Sequence, residues 1–504
     1  MLSGNRLKQY LKRMANHHPF FLIIFLTLLP LQSALAASAF NWRVANAYQE
    51  TIKLKIDKGR GLIAAELQDS PANATAILIA NYQDFLILMV QQHPGSFKKL
   101  INAQEKRLAQ LSSLKEKSPW VGFSVAEIRL QLAISYLLAD SKLAAAWEFR
   151  KAFLQYQANA KSYPSFIPNK KSYGVLLALV GSVPDNYKWL LNIIGMKGSV
   201  KAGMQHLQAA ASQENPFQEE AVLLKLVLEQ LIDQQQEQHV MSTINTLLKQ
   251  NPDNLLYTFT AIHMLKKIKK SDAALQYYLK RPGGKDYLSF PYLHYMAADV
   301  YLAKGQFERS IQENQYFLTN HEGTNHLKAA NFKLFQAYWL SNNQQMAGRY
   351  YSRISEVGKT LVDEDIYAAR FVQEETQLQR ELLLARLRSD GGYYREALAD
   401  LNDFSLTKDT PHPVKLEYLY RKARIYHGLE DMAQAKKFYE FTINASGTST
   451  LYFAPNAALQ LGYIYLEENN KAKAKSCFQA AINYKDHAYK NSIDSKAKLA
   501  LSSL

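Results

Sequence analysis

Two histidines are the first residues to test for chemistry. His321-Glu322-Gly323-Thr324-Asn325-His326 resembles a zinc-protease helix at a glance. Metal-binding pairs on a helix sit four residues apart, on one face. Five residues turn the two imidazoles about 140° from one another, and Gly323 favours a loop. Pro282-Gly283-Gly284-Lys285-Asp286 lacks the glycine spacing and the Ser or Thr of a phosphate-cradling loop, so it reads as a turn. Neither a Gly-x-Ser-x-Gly nucleophile turn nor a dinucleotide fingerprint is present. Glu374-Glu375 reads as a solvated pair on a polar helix face. The single cysteine, Cys477, excludes an intrachain disulfide and a cysteine zinc site, and reads as a small buried hydrophobe. These residues nominate no catalytic set, metal or cofactor, and the chain is expected to be a non-enzyme.

The elements behind these residues are helical by composition. Hydrophobic residues make up 48% and charged residues 21% of 504, with only 15 Pro, which favours long regular elements over a loop-rich β chain. That length predicts several domains or one elongated array. Tyr is abundant at 31, and its apolar ring with a polar tip suits helix interfaces and binding surfaces.

Residues 1–36 read as a secretory signal. Arg6, Lys8, Lys12 and Arg13 precede an apolar run from Phe20 to Leu31, and Ala34-Leu35-Ala36 is a small-x-small cleavage site. The mature chain is expected to begin near Ala37, in the periplasm or elsewhere in the cell envelope; retention of the segment as an anchor is the alternative. No later stretch reads as long and apolar enough to span a bilayer. Removing the segment lowers the net charge from +16 to +12. The remaining positive charges are scattered. The densest group, Lys266, Lys267, Lys269 and Lys270, reads as a solvated helix end. No nucleic-acid partner is expected, because a continuous basic face or a named binding motif is missing. A peripheral attraction to an anionic envelope surface stays open.

Self-similarity carries the fold. Leu461-Gly462-x-x-Tyr465 precedes Ala474-x-x-x-Phe478 and Ala481. Ala423-x-x-Tyr426 precedes Ala435-x-x-x-Tyr439, Tyr338 precedes Ala347-x-x-x-Tyr351, and Ala133-x-x-Tyr136 precedes Ala145-x-x-x-Phe149 and Ala152. A further unit reads Ala261-x-x-Met264, then Ala273-x-x-x-Tyr277; Tyr301 with Ser310, and Ala385 with Gly392, Tyr394 and Ala397, fit in part. In the five fuller units the aromatic or Met precedes the small residue by nine positions. A small residue on a second helix lets the first approach closely, and the aromatics fill the space beside that contact. The longer step from Ala347 to Ala397 predicts an inserted helix containing Asp363-Glu364-Asp365.

This pattern resembles the tetratricopeptide repeat. The resemblance implies an all-α chain: an α-solenoid of tetratricopeptide-like helical hairpins, with an irregular helical segment in its N-terminal half. Residues 37–215 are expected to form an N-terminal helical region and 216–504 the repeat array. Within the former, residues 162–207 read as three short helices broken by Pro and Gly, with a tight turn at Gly195–Gly198. Gly174, Pro184, Leu190, Leu191, Gly195, Gly198 and Gly203 resemble the eukaryotic inclusion-body-clearance family. The whole chain resembles exported bacterial repeat proteins of unassigned activity.

In the repeat family, first helices line a concave face. Carrying over its groove positions gives Tyr295, Phe332, Gln336, Trp339, Arg386, Tyr420, Arg424 and Tyr463, and Tyr292 is added one turn before Tyr295. These aromatics read equally as inter-repeat core. The Lys and Asn clamp by which the family holds a C-terminal carboxylate is absent. The expected function is a non-catalytic scaffold or adaptor of the cell envelope that binds protein or peptide partners on this face. The alternative is an envelope enzyme or a glycan- or lipid-handling protein with its site in residues 162–207, near Trp189 and Lys170.

Overall fold

A computed structural model describes residues 39–183, 195–232, 237–502 and 504. The proposed signal, with Pro184, Trp189, Leu190 and Leu191, lies outside the described residues. Among the latter there are 24 helices and no strand. The chain is an all-α solenoid of paired helical hairpins. It divides into two compact units, the first running to Ser182, resuming to Lys225 and taking in Gly283–Leu288, the second holding the helices from Leu226 onward.

The first unit comprises α1 (Trp42–Ile52), α2 (Ile56–Asp69), α3 (Ala74–Gln91), α4 (Pro94–Ser112), α5 (Pro119–Leu138), α6 (Lys142–Ser162), α7 (Ile167–Gly181), α8 (Val200–Ser212) and the start of α9 (Gln218–Ile232). The second continues through α10 (Glu237–Gln250), α11 (Leu255–Lys267), α12 (Ser271–Leu279), α13 (Tyr292–Ala303), α14 (Phe307–Asn320), α15 (Leu327–Leu340) and α16 (Gln344–Glu356). It ends with α17 (Asp363–Gln373), α18 (Arg380–Gly391), α19 (Tyr394–Asn402), α20 (His412–Gly428), α21 (Met432–Ala445), α22 (Phe453–Glu467), α23 (Lys471–Asn483) and α24 (Lys490–Ser502).

The nine-residue offset has a hydrogen-bond origin. At each hairpin turn one residue is left-handed: Asp140, Lys269, Gly305, Asn342, Gly392, Glu430 and Asn469. The N–H of the next residue reaches back five positions, as in Asn470 to the Tyr465 carbonyl (2.8 Å) and Asp431 to that of Tyr426 (3.0 Å). This is the Schellman closure of a helix C-terminus. The same residue starts the second helix, its carbonyl accepting from the N–H four positions on, as Asn470 does from Ala474 (3.0 Å). Five and four residues are thus fixed by two hydrogen bonds in series. The small residue falls where the helices cross, and Ala145, Ala347, Ala397, Ala435 and Ala474 are fully or almost fully buried. Ser310 fills the same place and donates its hydroxyl to the Ala298 carbonyl at 2.8 Å.

This rule corrects one register and adds one hairpin. Lys270 N–H bonds Leu265, and the Ala274 N–H bonds Lys270. The seam of that unit is therefore Leu265, Ala274 and Tyr278, all buried, not Met264, Ala273 and Tyr277; Ala273 and Tyr277 are only half-buried. In the first unit Lys55 bonds the Glu50 carbonyl across left-handed Leu54, and Gly59 bonds Lys55, so α1 and α2 form a hairpin of the same kind. The inserted helix expected between Ala347 and Ala397 is α17.

Residues 162–207 give two described helices, α7 and α8, pressed backbone to backbone. A Cβ on Gly174 would stand 2.8 Å from the Gly203 carbonyl oxygen, and one on Gly203 2.5 Å from that of Gly174. Gly198 is equally blocked by the Gly181 nitrogen at 2.3 Å. Lys170 is half-buried, while its neighbour Lys171 is sealed inside. The Lys171 ammonium lies 2.8 Å from Glu220, 3.4 Å from Glu127 and 2.8 Å from the Tyr82 hydroxyl. Tyr48 donates to Glu220 (2.8 Å) and Ser172 to Glu127. One buried cation thereby ties α1, α3, α5, α7 and the start of α9 together.

Two helices, α3 and α5, have the length and apolar composition to cross a membrane, which corrects the expectation that no later stretch does. Their apolar windows are 72% and 56% buried inside the protein. They also share a buried amide pair, Asn81 donating to Gln131 at 2.8 Å, as packed core helices do.

Candidate partner-binding face

The first helices of the second unit touch one another in succession: α11 with α13, α13 with α15 and α18, α18 with α20, α20 with α22. Their side chains therefore share one face of that unit. The structure distributes the nine sequence-derived residues unevenly over it.

Four of them are packing. Tyr295, Phe332, Gln336 and Tyr420 are 2, 6, 2 and 3% exposed. Tyr295 lies under the Lys333 ammonium, 3.2 Å from the ring centre. Phe332 sits among Phe335, Phe371 and Tyr367 at 4.8–6.0 Å. Tyr420 packs on Phe453 at 5.3 Å and accepts a hydrogen bond from Asn456 at 2.6 Å. The family spacing places these residues at groove positions, but here the rings of Tyr295, Phe332 and Tyr420 fill the seams between repeats and Gln336 is buried with them. They support the face from beneath.

The other five are half-exposed. Tyr292 stacks on Tyr295 at 5.3 Å. Trp339 borders the cluster around Phe335. Arg386 donates to the Tyr367 hydroxyl at 2.5 Å, and Arg424 to the Gln460 side-chain oxygen at 2.8 Å. Tyr463 packs edge-on against Phe478, on the second helix of its own hairpin, at 5.3 Å. Tyr367 joins Phe332 to Arg386, and Arg424 lies one turn from Tyr420.

Several charged residues were missed. Asp299 on α13 binds Lys266 of α11 at 2.7 Å and Lys333 of α15 at 2.6 Å. Burial opposes the Asp299 charge, but the two ammonium groups outweigh it and hold the carboxyl far below its ordinary range. Burial pushes Lys333 down to about 8, Asp299 notwithstanding. Lys270 pairs with Glu237 at 2.7 Å, and Lys269 donates to the Ser389 carbonyl at 2.9 Å. The lysine group read as a solvated helix end is therefore largely engaged: Lys266, Lys269 and Lys270 hold partners, and Lys267 is exposed. Arg421, one turn before Arg424, is buried; it meets Glu417 at 3.1 Å and the Tyr452 hydroxyl at 3.3 Å. Its three-residue spacing from Arg424 was the available signal.

The chemistry-bearing motifs fall apart in three dimensions. His321 ends α14 and His326, left-handed, precedes α15, so no single helix carries both. Glu374 and Glu375 are exposed, and Cys477 is half-buried, its thiol pushed up by burial.

The tetratricopeptide repeat family matches residues 416–440, within the hairpin α20–α21, and 455–487, which span the hairpin α22–α23 and run just past its end. No curated protein matches the chain in a sequence comparison. Outside the matched residues, the hairpins α1–α2, α5–α6, α11–α12, α13–α14, α15–α16 and α18–α19 close with the same turn. The chain thus has a tetratricopeptide-like architecture of helical-hairpin repeats.

Proposed function

We propose that the chain is a non-catalytic scaffold of the cell envelope, and that its second unit binds a protein partner along its first helices. The observation that carries this reading is the run of half-exposed Tyr292, Trp339, Arg386 and Arg424 on first helices of the second unit, with Tyr292 and Trp339 seated on buried aromatic packing. Rigid aromatic and arginine side chains dominate protein-binding hot spots. Export through the N-terminal segment belongs to this reading, as does the likeness of residues 162–207 to the inclusion-body-clearance family. The backbone contact of α7 with α8 favours a scaffold over an enzyme sited there, since it leaves no room for a ligand between those helices.

The test is capture of envelope proteins by the chain starting at Ala37, identified by mass spectrometry. The double variant Tyr292→Ala, Trp339→Ala should lose specific capture while keeping its helical circular dichroism and melting temperature within a few degrees. Unchanged capture by a folded double variant would remove the face from consideration.

A further inference from the structure

Four cations converge on one part of this face with little to neutralise them. Arg421 and Arg424 lie one turn apart on α20, Arg386 on the neighbouring α18, and Lys269 in the turn after α11 reaches the end of α18. Arg386, Arg424 and Lys269 donate to a phenol, an amide and a backbone carbonyl, all neutral. Only Arg421 holds a carboxylate, that of Glu417. Asp390, exposed at the end of α18, is the one carboxylate whose charge reaches all four. Four positive groups thus face two negative ones.

Neighbouring groups register the surplus. Burial, then Arg424 and Arg421, bring Lys269 down to about 8. Burial, then Arg424 and Lys269, bring His427 down to about 4. Lys496 on α24 is lowered by burial, Lys267 and Arg424 although its side chain is exposed. Arg386, Arg424 and Lys269 are themselves half-buried. Cations held in such a place with too little counter-charge cost free energy that an anion recovers.

We infer that this part of the second unit receives an extended acidic polypeptide segment, whose side-chain carboxylates seat on Arg386, Arg424 and Lys269, with buried Arg421 adding its charge from beneath. The inference rests on the scaffold reading and specifies the chemistry of the partner. Guanidinium forks match carboxylates in pairs. Asp390 and Glu417 stand among the cations, so a densely charged polyanion meets repulsion that a segment with spaced carboxylates avoids. Half-exposed Tyr452, beside Arg421, offers its ring to the intervening residues.

Fluorescence anisotropy with a labelled dodecapeptide of alternating Glu and Ser tests this, against the Gln–Ser peptide and linear polyphosphate. Glu–Ser should bind, weaken with salt, and exceed Gln–Ser by at least about tenfold. The folded double variant Arg386→Gln, Arg424→Gln should lose about tenfold or more. Asp390→Asn, which removes a competing carboxylate, should bind several times more tightly. Equal binding of the two peptides, an unaffected double variant, or binding of polyphosphate without Glu–Ser would each overturn the inference. Absence of Glu–Ser binding alongside intact, Trp339-dependent capture of an envelope protein would overturn it while leaving the scaffold reading in place.

Discussion

The Lys171 ammonium, sealed inside the first unit beside Tyr82 and Glu127, lies 2.8 Å from the half-buried Glu220 carboxylate, which also accepts from Tyr48. Burial alone would lower the lysine, but Glu127 and Glu220 more than compensate and raise it above its ordinary value. Replacing Lys171 with Met strips two carboxylates of their partner and should cost about 3–5 kcal/mol in urea unfolding. The folded-state value is the higher one. The contribution of the pair is therefore complete below the ordinary lysine range and disappears as pH rises through the folded value. A variant whose midpoint is unchanged would show that the triad is dispensable.

Gly392 should not tolerate a side chain. It is left-handed at φ +87°, and a Cβ there would stand 2.1 Å from the Lys269 carbonyl oxygen. That oxygen belongs to backbone, so it cannot swing away. Gly392→Ala should lower the melting temperature of the chain by several degrees, corresponding to more than about 1 kcal/mol. Gly348→Ala, inside a helix with nothing within 4 Å of the added carbon, is the control and should be neutral or slightly stabilising.

The seam between α22 and α23 gives a matched pair. Ala474 and Phe478 are both fully buried, and the Phe478 ring already fills the space where a Gly462 Cβ would go, 2.6 Å away. Ala474→Leu should destabilise by about 1–3 kcal/mol through overpacking, and Phe478→Ala by about 3–5 kcal/mol through a cavity. Equilibrium denaturation of the two variants separates these outcomes.

Asp365, buried at the start of α17, accepts the N–H groups of His326 (2.6 Å) and Ala329 (2.9 Å) and so caps α15 from a different helix. Burial raises its carboxyl to about 6, the two N–H groups opposing. Here too the folded-state value is the higher one. Between the ordinary aspartate value and about 6 the folded chain binds more protons than the unfolded one, so stability falls as pH rises through that window. Asp365→Asn keeps an acceptor and should flatten this dependence. Asp365→Ala leaves both donors unpaired and should cost about 1–2 kcal/mol at any pH. Thermal melts from pH 4 to 7 distinguish the three proteins.

Hairpins were legible in the sequence where the turn and the seam both used characteristic residues. Around Tyr465 and Ala474, Gly462 and Phe478 left one register. Around Ala273-Ala274 and Tyr277-Tyr278 each seam position is doubled, so periodicity alone could not choose between neighbours one residue apart. The α1–α2 hairpin escaped notice because Glu50 occupies the aromatic position and Gly59 the small one. The candidate face was legible as a set of helices but not side chain by side chain. Whether Tyr420 points to water or into the seam depends on Phe453 and Asn456, some 30 positions later. Lys171 next to Lys170, and Arg421 three before Arg424, show the same limit: composition marks a charge, and only packing tells which charge is buried.

Because two hydrogen bonds in series meter the distance from Tyr426 to Ala435, the interior of a hairpin is intolerant of any change in length. One added residue there would swing every later side chain of the second helix by about 100° and carry Ala435 out of its seam. The joints between hairpins, such as residues 280–291, obey no such meter. Insertions and deletions should therefore accumulate at the joints, leaving the hairpins as units of constant gauge that can be exchanged, duplicated or lost whole.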